Sequence, residues 1–166
     1  MRIDARARVT KVWSLARSFR YAGRGVAYCI KNERNMRIHL VFAAYVFAFS
    51  PFYAFTQTQY ILLLLTIGTV LSAEAVNTAL EALVNLETQS YDNLARIAKD
   101  VAAGAVLICS VFAFAIGLLL YIKPSVIVCI FWFLVTNPLW GVLFVLSLPV
   151  CSAFIFGMPR IDARRF

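Results

Sequence analysis

The sequence YILLLLTIGTVLSAEAVNTALEALV, residues 60–84, decides the fold class of this chain. It is long enough to cross a membrane, since a hydrocarbon core of about 30 Å takes roughly 20 helical residues. Two carboxylates interrupt it, Glu74 and Glu81, although a charged side chain at bilayer depth costs about 2.5 to 3.5 kcal/mol on insertion scales. A cost of this size indicates that the carboxylates line a polar site.

The overall composition is that of an integral membrane protein. Hydrophobic residues make up 62% of the 166 residues and charged residues only 14%, which leaves too little polar surface for a soluble globule of this size. The four cysteines show no CxxC or Cys/His spacing, so we interpret them as small packing residues and predict no metal site on them. The N-terminus lacks the apolar stretch and cleavage site of a removable secretion signal.

Four apolar stretches are long enough to span a membrane. They are residues 38–55, 60–84, 101–122 and 124–159. The last is too long for one straight helix, and Asn137-Pro138 interrupts it, because proline lacks a backbone donor and clashes with the preceding turn. We therefore predict an interfacial or re-entrant segment at 125–136 and a fourth crossing at 139–158.

Positive charge is distributed unevenly along the chain. Ten of the 16 Lys and Arg residues precede Ile38, and only Lys123 falls in the loops of the opposite side. Because cytoplasmic flanks of membrane segments carry the excess of Lys and Arg, both termini are predicted to be cytoplasmic. The net charge of +8 then reflects topology and attraction to anionic lipid headgroups, and no nucleic acid partner is required.

The segment before the first span has two chemically different sides. Apolar residues at helical spacing are Val12, Ala16, Phe19, Val26 and Ile30, and basic residues opposite them are Arg17, Arg20, Arg24 and Lys31. This pattern predicts an amphipathic helix in the plane of the membrane surface. A plain surface anchor is one interpretation. The other is that Glu33, at the end of this helix, adds a carboxylate to a site formed by the spans.

The second span carries a polar stripe. Residues seven apart return to nearly the same helix face, with a drift of only about 20°, so Glu74, Asn77, Thr78 and Glu81 are expected on one side. At 1.5 Å per residue Glu74 lies about 10 Å deeper than Glu81. Lys99-Asp100 opens the third span at the cytoplasmic level, so we expect the ionisable groups to meet there.

Several carboxylates and a lysine at a membrane surface suit phosphoryl transfer. Mg²⁺ prefers oxygen ligands and is often shared between one or two carboxylates and substrate phosphates, while a deeper carboxylate such as Glu74 could accept the proton of a lipid hydroxyl. An ion or proton pathway and a structural packing network use the same residue types and remain alternatives. The chain has no P-loop motif and no protein-kinase motifs.

Three ordered motifs carry a family resemblance. They are ERNMRIH at 33–39, VLSAEAVNTALE at 70–81 and AKDVAAGAVL at 98–107. Over about residues 15–122 the chain closely resembles the prokaryotic diacylglycerol kinase family, and it looks most like the undecaprenol kinase branch of Gram-positive bacteria. The resemblance implies a homotrimer in the bacterial cytoplasmic membrane, with a surface helix and three membrane helices per subunit and active sites shared between neighbouring subunits.

The resemblance also implies a role for individual residues. It assigns Glu74 as catalytic base, Glu33 and Glu81 as ligands of the Mg²⁺ that accompanies ATP, Asn77 as an active-site amide, and Tyr21, Ser90, Tyr91, Asp92, Lys99 and Asp100 as nucleotide contacts. The expected division of this all-α membrane protein is a basic arm and surface helix at 1–37, a three-helix kinase core at 38–123, and an extra hydrophobic segment with a basic tail at 124–166.

Two features depart from the family pattern. Asn85 stands where the family usually has aspartate, so it either keeps the hydrogen bonds of that residue without its charge or marks a weakened or specialised enzyme. The second departure is the C-terminal segment, which a three-helix pattern does not include.

The sequence therefore predicts a lipid kinase that transfers the γ-phosphate of MgATP to undecaprenol, with diacylglycerol as the alternative substrate. A non-catalytic membrane protein that retains the fold is a second class, and a transporter is a third. The transporter predicts solute flux without ATP and tolerance of Glu33→Gln.

Overall fold

A computed structural model describes residues 5–87 and 93–159, with side chains for 15–86 and 93–159, and this part of the chain contains helices and no strand. The helices are α1 (Ala5–Asn32), α2 (Arg34–Phe49), α3 (Gln57–Glu87), α4 (Asn93–Tyr121), α5 (Pro124–Thr136) and α6 (Pro138–Phe156), with a short 3-10 helix at Ser50–Tyr53. The expected all-α class is confirmed. The position of α1 in the membrane plane stays a prediction.

Four segments of the described residues are long and apolar enough to cross a membrane. They are Arg34–Tyr53, Gln57–Leu86, Asn93–Tyr121 and Pro138–Phe156, whereas Pro124–Thr136 is a shorter apolar helix. The four predicted spans are therefore confirmed by length and composition. Several bounds were wrong: α3 and α4 begin before the expected 60 and 101, because hydropathy marks only the apolar part of a helix. The first span changes from α-helix to 3-10 helix after Phe49. Pro51 has no N–H to continue the α-helical hydrogen bonds, and the Ser50 hydroxyl donates to the Phe47 carbonyl at 2.9 Å instead.

The C-terminal apolar segment is divided at the predicted place. Asn137 leaves the helical conformation, with φ −115° and ψ 86°, and α5 and α6 each begin with a proline at a position where its missing N–H costs nothing. The predicted fourth crossing at 139–158 corresponds to α6. Pro149 lies inside α6 without ending it, as a single crossing over 139–158 requires.

One end of the bundle is built from aromatic side chains, and we call it the aromatic end. Tyr53, Phe55 and Leu63 are buried there, and the partly buried Val126 and Ile130 of α5 pack against them. The Phe133 ring lies 5.1 Å from that of Phe52, so the length of α5 contacts this same end. The helix thus lies across the aromatic end, in keeping with an interfacial segment.

Helix α6 returns along α2 in the opposite direction. Tyr45 Oη and Ser147 Oγ are hydrogen-bonded at 2.7 Å, and the Phe49 and Phe144 rings meet edge to face at 5.8 Å. Rising residue numbers on α2 pair with falling numbers on α6, so the two helices are antiparallel. The last turn of α6 therefore lies beside the start of α2, at the end of the bundle that carries Glu33, here called the carboxylate end.

The remaining helices leave a groove beside the polar stripe. Helices α2, α3 and α4 line an apolar groove of about 400 Å³ that extends from His39 and Val70 to Tyr121. The division expected at 37/38 falls inside α2, because that helix begins at Arg34. The division into an arm, a core and an extra segment remains a proposal.

Candidate active site

Glu74 is the most deeply enclosed ionisable side chain that the structure describes. It lies in the interior of α3, only 1% of its surface is exposed, and Oε2 has no hydrogen-bond partner. A carboxylate without partners is expensive to bury. Such a group is expected where a substrate or a cation completes the site.

The polar stripe on α3 is present as expected. Asn77 and Thr78 are also buried, and Asn77 Nδ2 donates to Glu81 Oε1 at 3.2 Å. Thr78 Oγ1 donates to the Glu74 backbone carbonyl at 2.9 Å, which satisfies its hydroxyl within the helix. Asn77 Oδ1, like Glu74 Oε2, is buried without a donor, so two acceptor atoms are available along one face.

The junction of α1 and α2 lies against this stripe. Glu33 is the one residue between the two helices, in an extended conformation with φ −103°. Its carboxylate and that of Glu81 are close enough to Glu74 to repel it, and Asn35 lies within hydrogen-bonding reach of Glu74. Glu74 is therefore within electrostatic reach of carboxylates from two parts of the chain.

Cys29 shows how tightly α1 covers α3. This thiol is 6% exposed and lies beside Thr78. Burial raises the pKa of the Cys29 thiol, the Thr78 hydrogen bond opposes this, and the Glu33 carboxylate adds to the rise. Because a protonated thiol is a poor nucleophile, Cys29 acts as a packing residue, as expected for all four cysteines.

The other residues that were expected to contact the nucleotide are not all linked to the carboxylates. Lys99 Nζ donates to Asn85 Oδ1 at 2.7 Å, which ties α4 to the end of α3. Tyr21 is 57% exposed, with the Arg24 guanidinium 5.8 Å from its ring centre, and Asp100 is exposed. No contact links Tyr21 or Asp100 to the carboxylates within this part of the chain. Ser90, Tyr91 and Asp92 lie outside the described residues.

The oxygen donors suit a hard cation shared with a nucleotide. Among the side chains of residues 15–86 and 93–159, no three from His, Cys, Asp or Glu are grouped as a complete metal site. Glu33 and Glu81 offer two carboxylates, which is the number that Mg²⁺ usually takes from protein when phosphate oxygens and water supply the rest. The two carboxylates are therefore compatible with a Mg²⁺ ion shared with a nucleotide.

Sequence reasoning assigned no role to two residues at this site. Asn35 lies two positions after Glu33 and within hydrogen-bonding reach of Glu74. Its place just after the helix junction was the one signal in the sequence for this role. Arg37 is 4% exposed, and its Nη1 donates to the Lys31 carbonyl at 2.9 Å. A basic residue one turn after a helix end, where carbonyl groups lack partners, was the available signal.

The contact between Lys99 and Asn85 gives a first prediction. Asn85→Asp should keep the hydrogen bond and add a partly exposed ion pair, whose energy is about 0 to 1 kcal/mol. We expect activity to be retained and the KM for MgATP to rise by no more than about fivefold, because the new charge offsets that of Lys99. Steady-state kinetics at two salt concentrations measure this.

The matched control is Asn93→Asp, since Asn93 also accepts a hydrogen bond from a basic side chain, Arg96, at 3.3 Å. It should leave the KM for MgATP unchanged. Loss of activity in Asn85→Asp would contradict a role for Asn85 as a neutral substitute for the family aspartate.

Comparison with known proteins gives a consistent family. The model of the prokaryotic diacylglycerol kinase family matches residues 20–122. A diacylglycerol kinase of Synechocystis is 42% identical over 108 residues, which cover 64% of this chain and 62% of that protein. An undecaprenol kinase of Bacillus subtilis is 37% identical over 106 residues, covering 64% of this chain and 86% of the relative. No solved structure matches the chain.

Proposed function

This chain belongs to the prokaryotic diacylglycerol kinase family, and from that premise we propose that it transfers the γ-phosphate of ATP to the hydroxyl group of a membrane lipid. The observation that carries the proposal is the buried Glu74, whose Oε2 has no partner, beside an apolar groove. The groove is lined by Val70 and Leu71, about one turn from Glu74, and by His39 of α2. A lipid chain in this groove would bring its alcohol to the carboxylate.

The proposed chemistry assigns one task to each group. The lipid hydroxyl oxygen forms a bond to the γ-phosphorus, its proton goes to Glu74, and the bond to the β–γ bridging oxygen breaks, so that ADP leaves with the electron pair. Asn77 orients Glu81 through their hydrogen bond, and Lys99 offers positive charge to the phosphates. Glu33 and Glu81 would hold the Mg²⁺ of MgATP, which neutralises phosphate charge.

Undecaprenol is the proposed substrate, and diacylglycerol is the alternative. The motifs at 33–39 and 70–81 are most similar to the undecaprenol kinase branch, and the alignment to the Bacillus subtilis undecaprenol kinase covers 86% of that protein. The Synechocystis diacylglycerol kinase, however, has the higher sequence identity to this chain, at 42%. We therefore test both lipids together.

The proposed setting is a homotrimer in the bacterial cytoplasmic membrane, with the carboxylate end towards the cytoplasm. The excess of Lys and Arg before the first span supports this orientation. The exposed positions of Tyr21 and Asp100 support a shared site, because a neighbouring subunit could bring them to the nucleotide. Chemical crosslinking of the purified protein should give a species of three chains.

A lipid panel tests the function. We expect purified protein in mixed micelles to transfer labelled phosphate from MgATP to undecaprenol, and to diacylglycerol at a lower kcat/KM. Preference for diacylglycerol would correct the substrate and leave the reaction class intact. Absence of any phosphorylated lipid at all metal concentrations, with protein that still binds MgATP, would favour a non-catalytic member. Solute flux without ATP would favour the transporter.

A further inference from the structure

A single buried arginine joins two helix ends that are far apart in the sequence. Arg37 Nη1 donates to the carbonyls of Lys31 at 2.9 Å and Ile30 at 3.4 Å, both in the last turn of α1. Arg37 Nε donates to the carbonyl of Ile155 at 3.0 Å, in the last turn of α6. One guanidinium thus connects the surface helix, the first span and the C-terminal helix.

This arrangement follows from what helix ends lack. The last four carbonyls of a helix have no partner within the helix, and the positive charge of a guanidinium is favourable beside them. Arg37 has a planar group with several donors in fixed directions, so it can serve two helices at once, whereas lysine cannot reproduce that geometry. Because a buried cation is costly unless its donors are satisfied, the two helix ends hold Arg37 in one position.

The contact lies directly beside the proposed Mg²⁺ ligand Glu33. Glu33 is the one residue between α1 and α2, its N–H donates to the Cys29 carbonyl at 2.8 Å, and its own carbonyl accepts from the Arg37 N–H at 3.4 Å. The direction of the Glu33 side chain therefore depends on the angle between α1 and α2. Arg37 fixes that angle from the α2 side.

The third participant, α6, lies beyond residues 20–122 that match the family. It is held against α2 by Tyr45, whose hydroxyl bonds Ser147 at 2.7 Å and lies 3.6 Å from Cys151 Sγ. Cys151 is one helical turn before Ile155. These contacts fix the height of α6 along α2 and bring the Ile155 carbonyl to Arg37.

We propose that Arg37 and the last turn of α6 form a positioning device that orients Glu33 for the magnesium nucleotide, so that the C-terminal segment is part of the active-site support. The inference rests on the proposed function. Arg37 touches neither substrate in this role, and it acts through the α1–α2 junction. Its loss should therefore weaken MgATP binding and leave the chemical step and lipid binding largely unchanged, which appears as a raised KM with a nearly constant kcat.

The experiment uses the full chain with two substitutions at the two sides of the contact. Arg37→Lys keeps the charge and removes the double contact. Ile155→Pro removes an N–H and clashes with the preceding turn, so the last turn of α6 and its carbonyl leave their position. The matched controls are Arg34→Lys, an exposed arginine on the first turn of α2, and Met158→Pro, three residues later and beyond the end of α6.

We expect each test variant to raise the KM for MgATP by at least about fivefold, with kcat and the KM for lipid within about twofold of wild type. The double variant should be no worse than the more affected single variant, because both remove the same contact. The controls should behave as wild type.

Three results would overturn the inference. The first is an unchanged KM for MgATP in Arg37→Lys, and the second is effects on KM that add in the double variant. The third is a fall in kcat that is fully explained by a smaller amount of folded protein. If Ile155→Pro does not fold, the Arg37→Lys result decides alone. If Arg37→Lys is inactive, Mg·ADP binding by its folded fraction decides: unchanged affinity overturns the inference and weakened affinity supports it. Failure of the proposed function is distinguishable, since wild-type protein would then phosphorylate no lipid.

Discussion

We expect Glu74→Gln to abolish lipid phosphorylation, with turnover reduced by about 10²- to 10⁴-fold, the usual contribution of a positioned general base. Glutamine has nearly the same shape as glutamate, but its amide cannot accept the proton of the lipid hydroxyl. The variant should fold at least as well as wild type, because a neutral amide replaces a carboxylate that is 1% exposed and has an unpartnered oxygen. Initial rates with labelled ATP, together with thermal unfolding in detergent, measure both effects.

The matched control is Glu87→Gln, the same change at the last residue of the same helix. It should retain wild-type turnover. If a well-folded Glu74→Gln variant keeps more than about a tenth of the wild-type rate, the loss is smaller than removal of a general base produces. Glu74 is then not the base. The carboxylate would then have a structural or ion-conducting role.

The second large effect is expected at the proposed Mg²⁺ ligands. Glu33→Gln and Glu81→Gln should each lower kcat/KM for MgATP by at least about 100-fold, since a carboxylate that shares a metal with phosphate stabilises charge throughout the reaction. Raising the Mg²⁺ concentration should recover part of the loss, because a weakened site still fills by mass action. Glu74→Gln should not respond to extra Mg²⁺.

Metal titrations of activity and of Mg·ADP binding separate these cases. Equal metal requirements for wild type, Glu33→Gln and Glu81→Gln would remove both residues from the proposed site. Tolerance of Glu33→Gln together with ATP-independent flux would favour the transporter.

Much of the fold was predictable because its signals are local. Hydropathy located the four spans, with three of the four starts within four residues and the start of α4 eight residues too late. Asn137-Pro138 located the break between α5 and α6, since proline acts on its own turn. The bounds of α3 and α4 were wrong because their polar ends continue as helix beyond the apolar part. The face shared by Glu74, Asn77 and Glu81 followed from helical periodicity alone.

The contacts between helices were harder to predict from the sequence. The sequence predicted an interfacial or re-entrant segment at 125–136, but nothing in the spacing indicated which side chains α5 contacts or that α6 packs along α2. Arg37 could be read as one more basic residue of the cytoplasmic flank, and its carbonyl partner on α6 lies 118 residues further along the chain. Asn35 lies in the motif at 33–39, but whether it reaches Glu74 depends on the direction of α2 relative to α1.

The sequence by itself determined that this is a helical membrane protein with carboxylates on one helix face, because charge burial, hydropathy and helical period are properties of short segments. Only the tertiary structure decided that Glu33 lies close enough to Glu74 for their charges to repel, and that the end of α6 reaches Arg37 beside the α1–α2 junction. Those contacts depend on how separate helices pack against one another, and packing is determined by the shapes of many side chains together.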